Sequence, residues 1–338
     1  DGTPVNRSVY ADFHQFFEKL MNAAGTVANG LPDNADNGFQ LFEALNTFKT
    51  EKDLIQNGHF VYDSEITTIP SGDRRRVTNS EEYIYVLDGA FGSRVIRQLN
   101  KVTGNEINTI TIGGNSEYNG RCVDINFDIE SNKLFVLINI DDVLDQVGFL
   151  VYSDSLNYEL SNSIPNTGKT FSPKGIDISD DKVLIVGSDQ NTGVGKELIY
   201  GKGTLSELGF SDVLDLPERA YINKQGSQNI IYTSNDFISI KAFGLPTYEG
   251  AQTGTSFVYY DSYSGKIYHL SASPFFRKMY VLNSLVNGTS GGFTMTDGID
   301  MAENTSNTNL VVEDVDIIKN EMYSISDDNI IRKHIRTI

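Results

Sequence analysis

The apolar positions of this chain follow two different periods. Between residues 8 and 24, Val9, Phe13, Phe16, Phe17, Leu20 and Met21 recur at three- and four-residue spacing, one face of a helix. Asn6 or Ser8 can cap its start, and Gly25 stands where a helix commonly ends in a left-handed residue. The stretch NGLPDNADNG (29–38) then breaks the chain, with Asp36 or Asn37 available as the next N-cap. Phe39, Phe42, Leu45 and Phe48 form a second stripe. The pattern predicts an α-helical hairpin within 1–56, too small to be stable on its own core. Its apolar face (Phe13, Phe16, Phe17, Leu20, Phe39, Phe42, Leu45 and Phe48) is therefore expected to dock onto another surface.

After residue 57 the period becomes two. Short runs rich in Val, Ile, Tyr and Phe alternate with Gly, Asn, Asp and Ser, which predicts strands and turns. Six runs, beginning at Tyr83, Lys133, Lys182, Asn229, Lys278 and Glu321, resemble one another and recur roughly every 45–50 residues. That interval suits a four-stranded blade. Apolar–Asp–apolar triplets centred on Asp124, Asp177 and Asp316 precede three of the runs. Segments 94–112 and 148–164 read as pairs of outer strands, whereas 257–271 is expected to straddle the fourth and fifth repeats. The last repeat supplies only about three strands, so HFVYDSEITTIP (59–70) is expected to pair beside them and close a ring. The expectation is a mainly β chain: a six-bladed β-propeller over 57–338, preceded by the small helical hairpin over 1–56. A two-sheet sandwich does not explain six evenly spaced units.

Charge and chemistry narrow the function classes. The net charge of -18, from 27 Lys+Arg against 45 Asp+Glu, argues against nucleic-acid or anionic-membrane partners. Cys122 is the one cysteine and sits in an alternating run, as a small core residue would. No apolar stretch is long enough to predict a membrane-spanning helix. His14, His59, His269 and His334 lack metal-ligand spacing, no GxSxG elbow occurs, and GKGT (201–204) reads as a turn. The Asp-rich turns (Asp141, Asp142, Asp145; Asp180, Asp181; Asp327, Asp328) read as solvated turns before they read as Ca²⁺ loops. The same choice arises for Asp124, Asp177 and Asp316. They either hydrogen-bond the backbone of a neighbouring blade, the favoured reading, or line a Ca²⁺ site at a ring axis. The run Arg74-Arg75-Arg76 is expected to be solvated, and Tyr248, Tyr259, Tyr260 and Tyr263 are candidates for stacking on a sugar. No catalytic, cofactor or metal residue is assigned.

The front of the chain also resembles a known module. The residues that carry the likeness are Tyr10, Asp12, Phe13, Gln15, Phe16, Phe17 and Leu20, then NGLPDN (29–34) and NGFQLFEAL (37–45). Together they are similar to the N-terminal module of structural proteins from tailed bacteriophages of Bacteroidetes hosts, including crAss-like and flavobacterial phages. The resemblance implies a non-enzymatic virion component, assembled in the host cytoplasm. It implies a helical anchor inserted into a neighbouring virion protein, and a propeller displayed for protein contacts or for a host receptor or glycan. The alternative is a Ca²⁺-dependent propeller hydrolase, lactonase- or esterase-like, acting at the ring axis.

Overall fold

The computed structural model describes residues 15–21, 24, 39–57, 59–70, 72, 75–88, 94–112, 121–140, 146–163, 171–178, 181–189, 191–202, 207–213, 219–222, 230–233, 237–241, 248–251, 256–261, 263–264, 266–271, 278–282, 295–300 and 312–337. Between 203 and 311, side chains are described at Tyr259, Asp261, Tyr263, Ser264, Lys266 and Tyr268. The chain divides into two compact units, one of residues 60–335 and one of residues 1–59 with 336–338.

In the smaller unit, helix α1 is described over 15–21 and α2 spans Gln40–Asn57. α2 continues well past the Phe39–Phe48 stripe because EKDLIQN contains no breaker before Gly58. The expected turn at 29–38 and the side chains of Phe13 and Phe48 lie outside the described residues.

The larger unit is built of four-stranded sheets, six of them among the described residues. The first holds β2 (Arg76–Asn79), β3 (Tyr83–Asp88), β4 (Arg94–Asn100) and β5 (Glu106–Ile112). The second holds β6 (Arg121–Asp128), β7 (Lys133–Ile140), β8 (Gln146–Ser153) and β9 (Tyr158–Ser163). The third is β10 (Phe171–Ile178), β11 (Lys182–Asp189), β12 (Gly195–Gly201) and β13 (Glu207–Val213). The fourth is β14 (Arg219–Ile222), β15 (Ile230–Thr233), β16 (Phe237–Lys241) and β17 (Tyr248–Ala251). The fifth is β18 (Ser256–Tyr260), β19 (Ile267–Ser271), β20 (Lys278–Leu282) and β21 (Met295–Asp300). The sixth draws on both ends of the region: β22 (Val312–Ile318), β23 (Glu321–Ser326) and β24 (Ile330–Thr337), with β1 (His59–Thr68) hydrogen-bonded outside β24. Around the centre, β22 meets β2, β2 meets β6, β6 meets β10, β10 meets β14, β15 meets β18, and β18 meets β22.

The second strands β3, β7 and β11, and β23 in the sixth sheet, are buried on both faces, which is why they read as unbroken apolar runs. Alternate residues of one strand serve opposite neighbours. Ile84 and Val86 of β3 pack with Tyr323, Ile325 and Ile331 of the sixth sheet. Tyr85 and Leu87 pack with Ile125, Phe127, Leu134 and Val136 of the second. Farther on, Phe135, Leu137 and Val151 meet Ile176, Ile178 and Val183 of the third.

Two expectations are corrected here. Segment 257–271 does not straddle repeats. It forms β18 and β19, the first two strands of the fifth sheet, so the run at Lys278 is that sheet's third strand. Arg75 of the Arg run is not solvated either, being 2% exposed and tied into the sixth sheet, while Arg74 lies outside the described residues.

The β4–β5 turn seals the closing strand. Gly104 has φ +69°, and a Cβ there would lie 2.3 Å from the Ile66 carbonyl oxygen in β1. Gly193 has nearly the same backbone (φ +68°) but faces open space. Gly104→Ala is therefore expected to cost about 3 kcal/mol, strain plus a backbone clash, against about 1 kcal/mol for Gly193→Ala. Thermal melts of the two variants check this; equal shifts would refute the contact.

Candidate functional site

The first strand of each sheet has no strand on its inner side, so alternate backbone N–H groups point at an open edge. In the first, second, third and sixth sheets, side chains from the preceding sheet fill that role. Asp314 Oδ2 accepts from the Val77 N–H at 2.8 Å, and Asp316 Oδ2 from the Asn79 N–H at 2.9 Å. One sheet on, Thr78 Oγ1 accepts from the Phe127 N–H at 3.0 Å. One further, Asp124 Oδ2 accepts from the Ile176 N–H at 3.1 Å, while the Asn126 amide donates to Asp177 Oδ1 at 2.9 Å. Between the fifth and sixth sheets the acceptor is the Tyr259 hydroxyl, 3.0 Å from the Ile317 nitrogen.

The backbone places these groups by a repeated irregularity. β22, β6 and β10 each slip register once, at Val312/Asp314, Cys122/Asp124 and Pro173/Gly175. A bulge of this kind re-aims the residues that follow it. In β22 and β6 the residue just beyond the slip is Asp314 or Asp124, which turns to the next sheet.

Asp316 is the hub. Besides the Asn79 N–H, it accepts from the Asn79 amide at 2.8 Å, the Thr78 hydroxyl at 3.0 Å and the Tyr259 hydroxyl at 2.7 Å. Burial pushes its carboxyl above the usual carboxylate range, opposed by these hydrogen bonds. Tyr263, in the β18–β19 turn, has its phenol pushed up by burial, then by the charges of Asp316, Asp261, Asp177 and Glu130.

A second polar cluster crosses the seam between the first and sixth sheets. The Arg75 guanidinium donates to the Ser326 carbonyl at 2.8 Å, the Gly72 carbonyl at 3.1 Å and the Asn329 side-chain oxygen. Asp88 and Glu313 lie 3.8 Å from its Nε. Lys101 reaches Glu321 at 2.9 Å and covers the Tyr323 ring at 4.9 Å. Burial lowers the Lys101 ammonium pKa. For Glu321, burial opposes ionisation, but Lys333 and Lys101 outweigh it and hold the carboxyl below its ordinary range.

The candidate residues fall as follows. Asp124, Asp177 and Asp316 are brought to inner strands and engaged by neighbouring sheets. Tyr259 is not available for a sugar, because it is buried and its hydroxyl belongs to the inter-sheet belt. Tyr248 and Tyr260 have side chains outside the described residues. Asp328 is more than a solvated turn residue, since it holds the buried Arg332 guanidinium at 3.1 and 2.5 Å. Asp141, Asp142, Asp145 and Asp180 lie outside the described residues, among which no group of three or more His, Cys, Asp or Glu could hold a metal. Cys122 is buried, which raises its thiol pKa. Of the aromatic face, Phe16 (59%), Phe17 (39%), Phe39 (51%), Phe42 (62%) and Leu45 (49%) are exposed, and Leu20 is half-buried. Phe16 and Phe17 touch edge to face, and Ala44 on α2 is buried.

Sheets arranged round a centre with their first strands innermost define a β-propeller. A solved structure agrees: the β-propeller domain of Cps50 (Swd1) from Myceliophteria thermophila matches with TM-score 0.50 at 8% identity, covering 78% of this chain and 82% of that one. A chain of the mitotic checkpoint complex matches with TM-score 0.49 at 10% identity, over 82% and 90% of the two chains. The likeness is one of fold. No protein-family model and no curated protein sequence matches the chain.

Truncating Asp316 to Ala leaves four donors without their acceptor, so a loss of about 3 kcal/mol or more is expected. Asp177→Ala, which removes the contact to the Asn126 amide, is expected to cost about 1 kcal/mol. Denaturant midpoints of the two variants provide the check. A near-neutral Asp316→Ala would mean that the belt is ornamental.

Proposed function

We propose that this chain is a non-enzymatic structural protein of a bacteriophage virion. Its helical segment docks onto another virion subunit, and its propeller is presented for protein contacts or for a host receptor or glycan. The observation that carries this reading is the exposure of Phe16, Phe39, Phe42 and Leu45. Phe39, Phe42 and Leu45 recur every three residues at the start of α2, and large apolar side chains exposed together mark interaction surfaces. The resemblance of residues 10–45 to phage virion modules supplies the kind of partner.

The hydrolase alternative needs carboxylates free to bind Ca²⁺ near the centre. Asp124, Asp314 and Asp316 instead spend oxygens on backbone N–H groups of the next sheet. A Ca²⁺-dependent enzyme would show a melting temperature that rises with millimolar calcium; the structural reading expects no shift.

The direct test is incorporation into particles. A Phe39→Asp/Phe42→Asp double variant is expected to reduce the amount of this protein in purified virions at least about tenfold, as losing central aromatic anchors does at other interfaces. Val102→Asp, on the exposed β4–β5 turn, should leave incorporation unchanged. Normal incorporation of the double variant would overturn the docking role.

A further inference from the structure

One face of the sixth sheet is unusually polar for its depth. Ser324 and Ser326 of β23 and Arg332 and His334 of β24 are all fully buried. Ser324 stands directly across from Arg332, and Met322 across from His334. The hydroxyls of both serines, Nε of Arg332 and both ring nitrogens of His334 have no hydrogen-bond partner among the described residues. His334 is covered by β1: the Tyr62 ring packs edge to face on it, with centroids 5.8 Å apart at 82°.

We propose that His334 is an acid-operated release for β1, the strand that closes the ring. A neutral imidazole fits this setting. An imidazolium would add a third positive charge to a strand face that already carries two buried arginines two residues to either side, Arg336 and, with the stronger effect on the ring, Arg332. The carboxylates nearest that guanidinium are already committed: Asp328 holds it in two bonds, and Glu65 lies 3.7 Å from it. β23 contributes Met322 and Ser324 here and no charge. β1 contributes Tyr62 and, on its exposed side, Asp63, the described group whose charge favours the imidazolium. Because β1 is hydrogen-bonded on one side to β24 and covers the imidazole, detaching it would admit water to His334. Proton binding and strand release are thereby linked.

Burial, then the Arg332 charge, lowers the imidazole pKa to about 4, with Asp63 pulling the other way. With strand β1 detached, the ring returns toward its ordinary value near 6.5. The folded pKa is the lower one, so the stabilisation is fully present above about pH 6.5 and is lost as pH falls toward 4. Between pH 7 and pH 5 the opening constant of β1 should rise about twentyfold.

Hydrogen exchange of the full chain tests this, with intrinsic rates corrected for pH and β11 as internal reference. Peptides over 59–68 should lose about twentyfold protection at pH 5 relative to β11, and His334→Phe should abolish that loss while keeping protection at pH 7. Unchanged wild-type protection at pH 5 would overturn the proposal, as would an equal loss in His334→Phe. Should that variant not fold, the wild-type imidazole titration decides by NMR: a pKa near 4 supports the release, and one near 6.5 refutes it.

Discussion

Every sheet of a ring like this one has an inner edge that no strand can pair, and the whole architecture depends on how that edge is satisfied. A buried N–H without an acceptor costs on the order of 1–3 kcal/mol. Here the acceptors are side chains of the preceding sheet, so satisfying an edge and joining two sheets are the same act. The contacts run in one direction, from Tyr259 to Ile317, from Asp314 and Asp316 to Val77 and Asn79, from Thr78 to Phe127, and from Asp124 to Ile176. Thr78 links three sheets, since it donates to Asp316 and accepts from Phe127. Apolar packing between sheets supplies the bulk of the burial, but it does not set register. The directional bonds do.

Closure concentrates the demand at one place. Five sheets are continuous in sequence, whereas the sixth joins β1 to β22–β24 across the length of the region. The two bulkiest fully buried side chains among the described residues, Arg75 and Arg332, lie there. Arg75 ties the loop before β2 to the β23–β24 turn, and Arg332 of β24 pairs with Asp328 of that turn. A guanidinium suits both positions because its planar fork satisfies several fixed acceptors at once, which a lysine ammonium does not. The same sheet holds the imidazole of His334, fully buried and without a hydrogen-bond partner among the described residues.

The doubly buried strands were readable in the sequence, because burial on both faces leaves an unbroken apolar run at Tyr83, Lys133, Lys182 and Glu321. The fifth sheet was not, since KMYVL keeps the repeat interval and is the more apolar run, whereas the actual second strand, IYHLS, comes too soon after the run at Asn229 to fit it. The carboxylates Asp124, Asp177 and Asp316 stood out through their recurring triplet. Thr78 and Tyr259 fill the corresponding role with other side chains, so no residue pattern connected them. Arg75 looked solvated because the acceptors that bury it, near Ser326 and Asn329, lie at the far end of the chain. For His334, ligand spacing had no bearing on its surroundings, which come from the closing strand.

The central claim is that side chains of one sheet close the inner edge of the next. The most direct measurement is native-state hydrogen exchange, resolved to single amides by NMR, at Val77, Asn79, Phe127, Ile176 and Ile317. These amides have no strand partner, yet their expected protection equals that of the central strands β7 and β11 and is lost only with global unfolding. Exchange as fast as that of amides on the outer edge of β5 would contradict it.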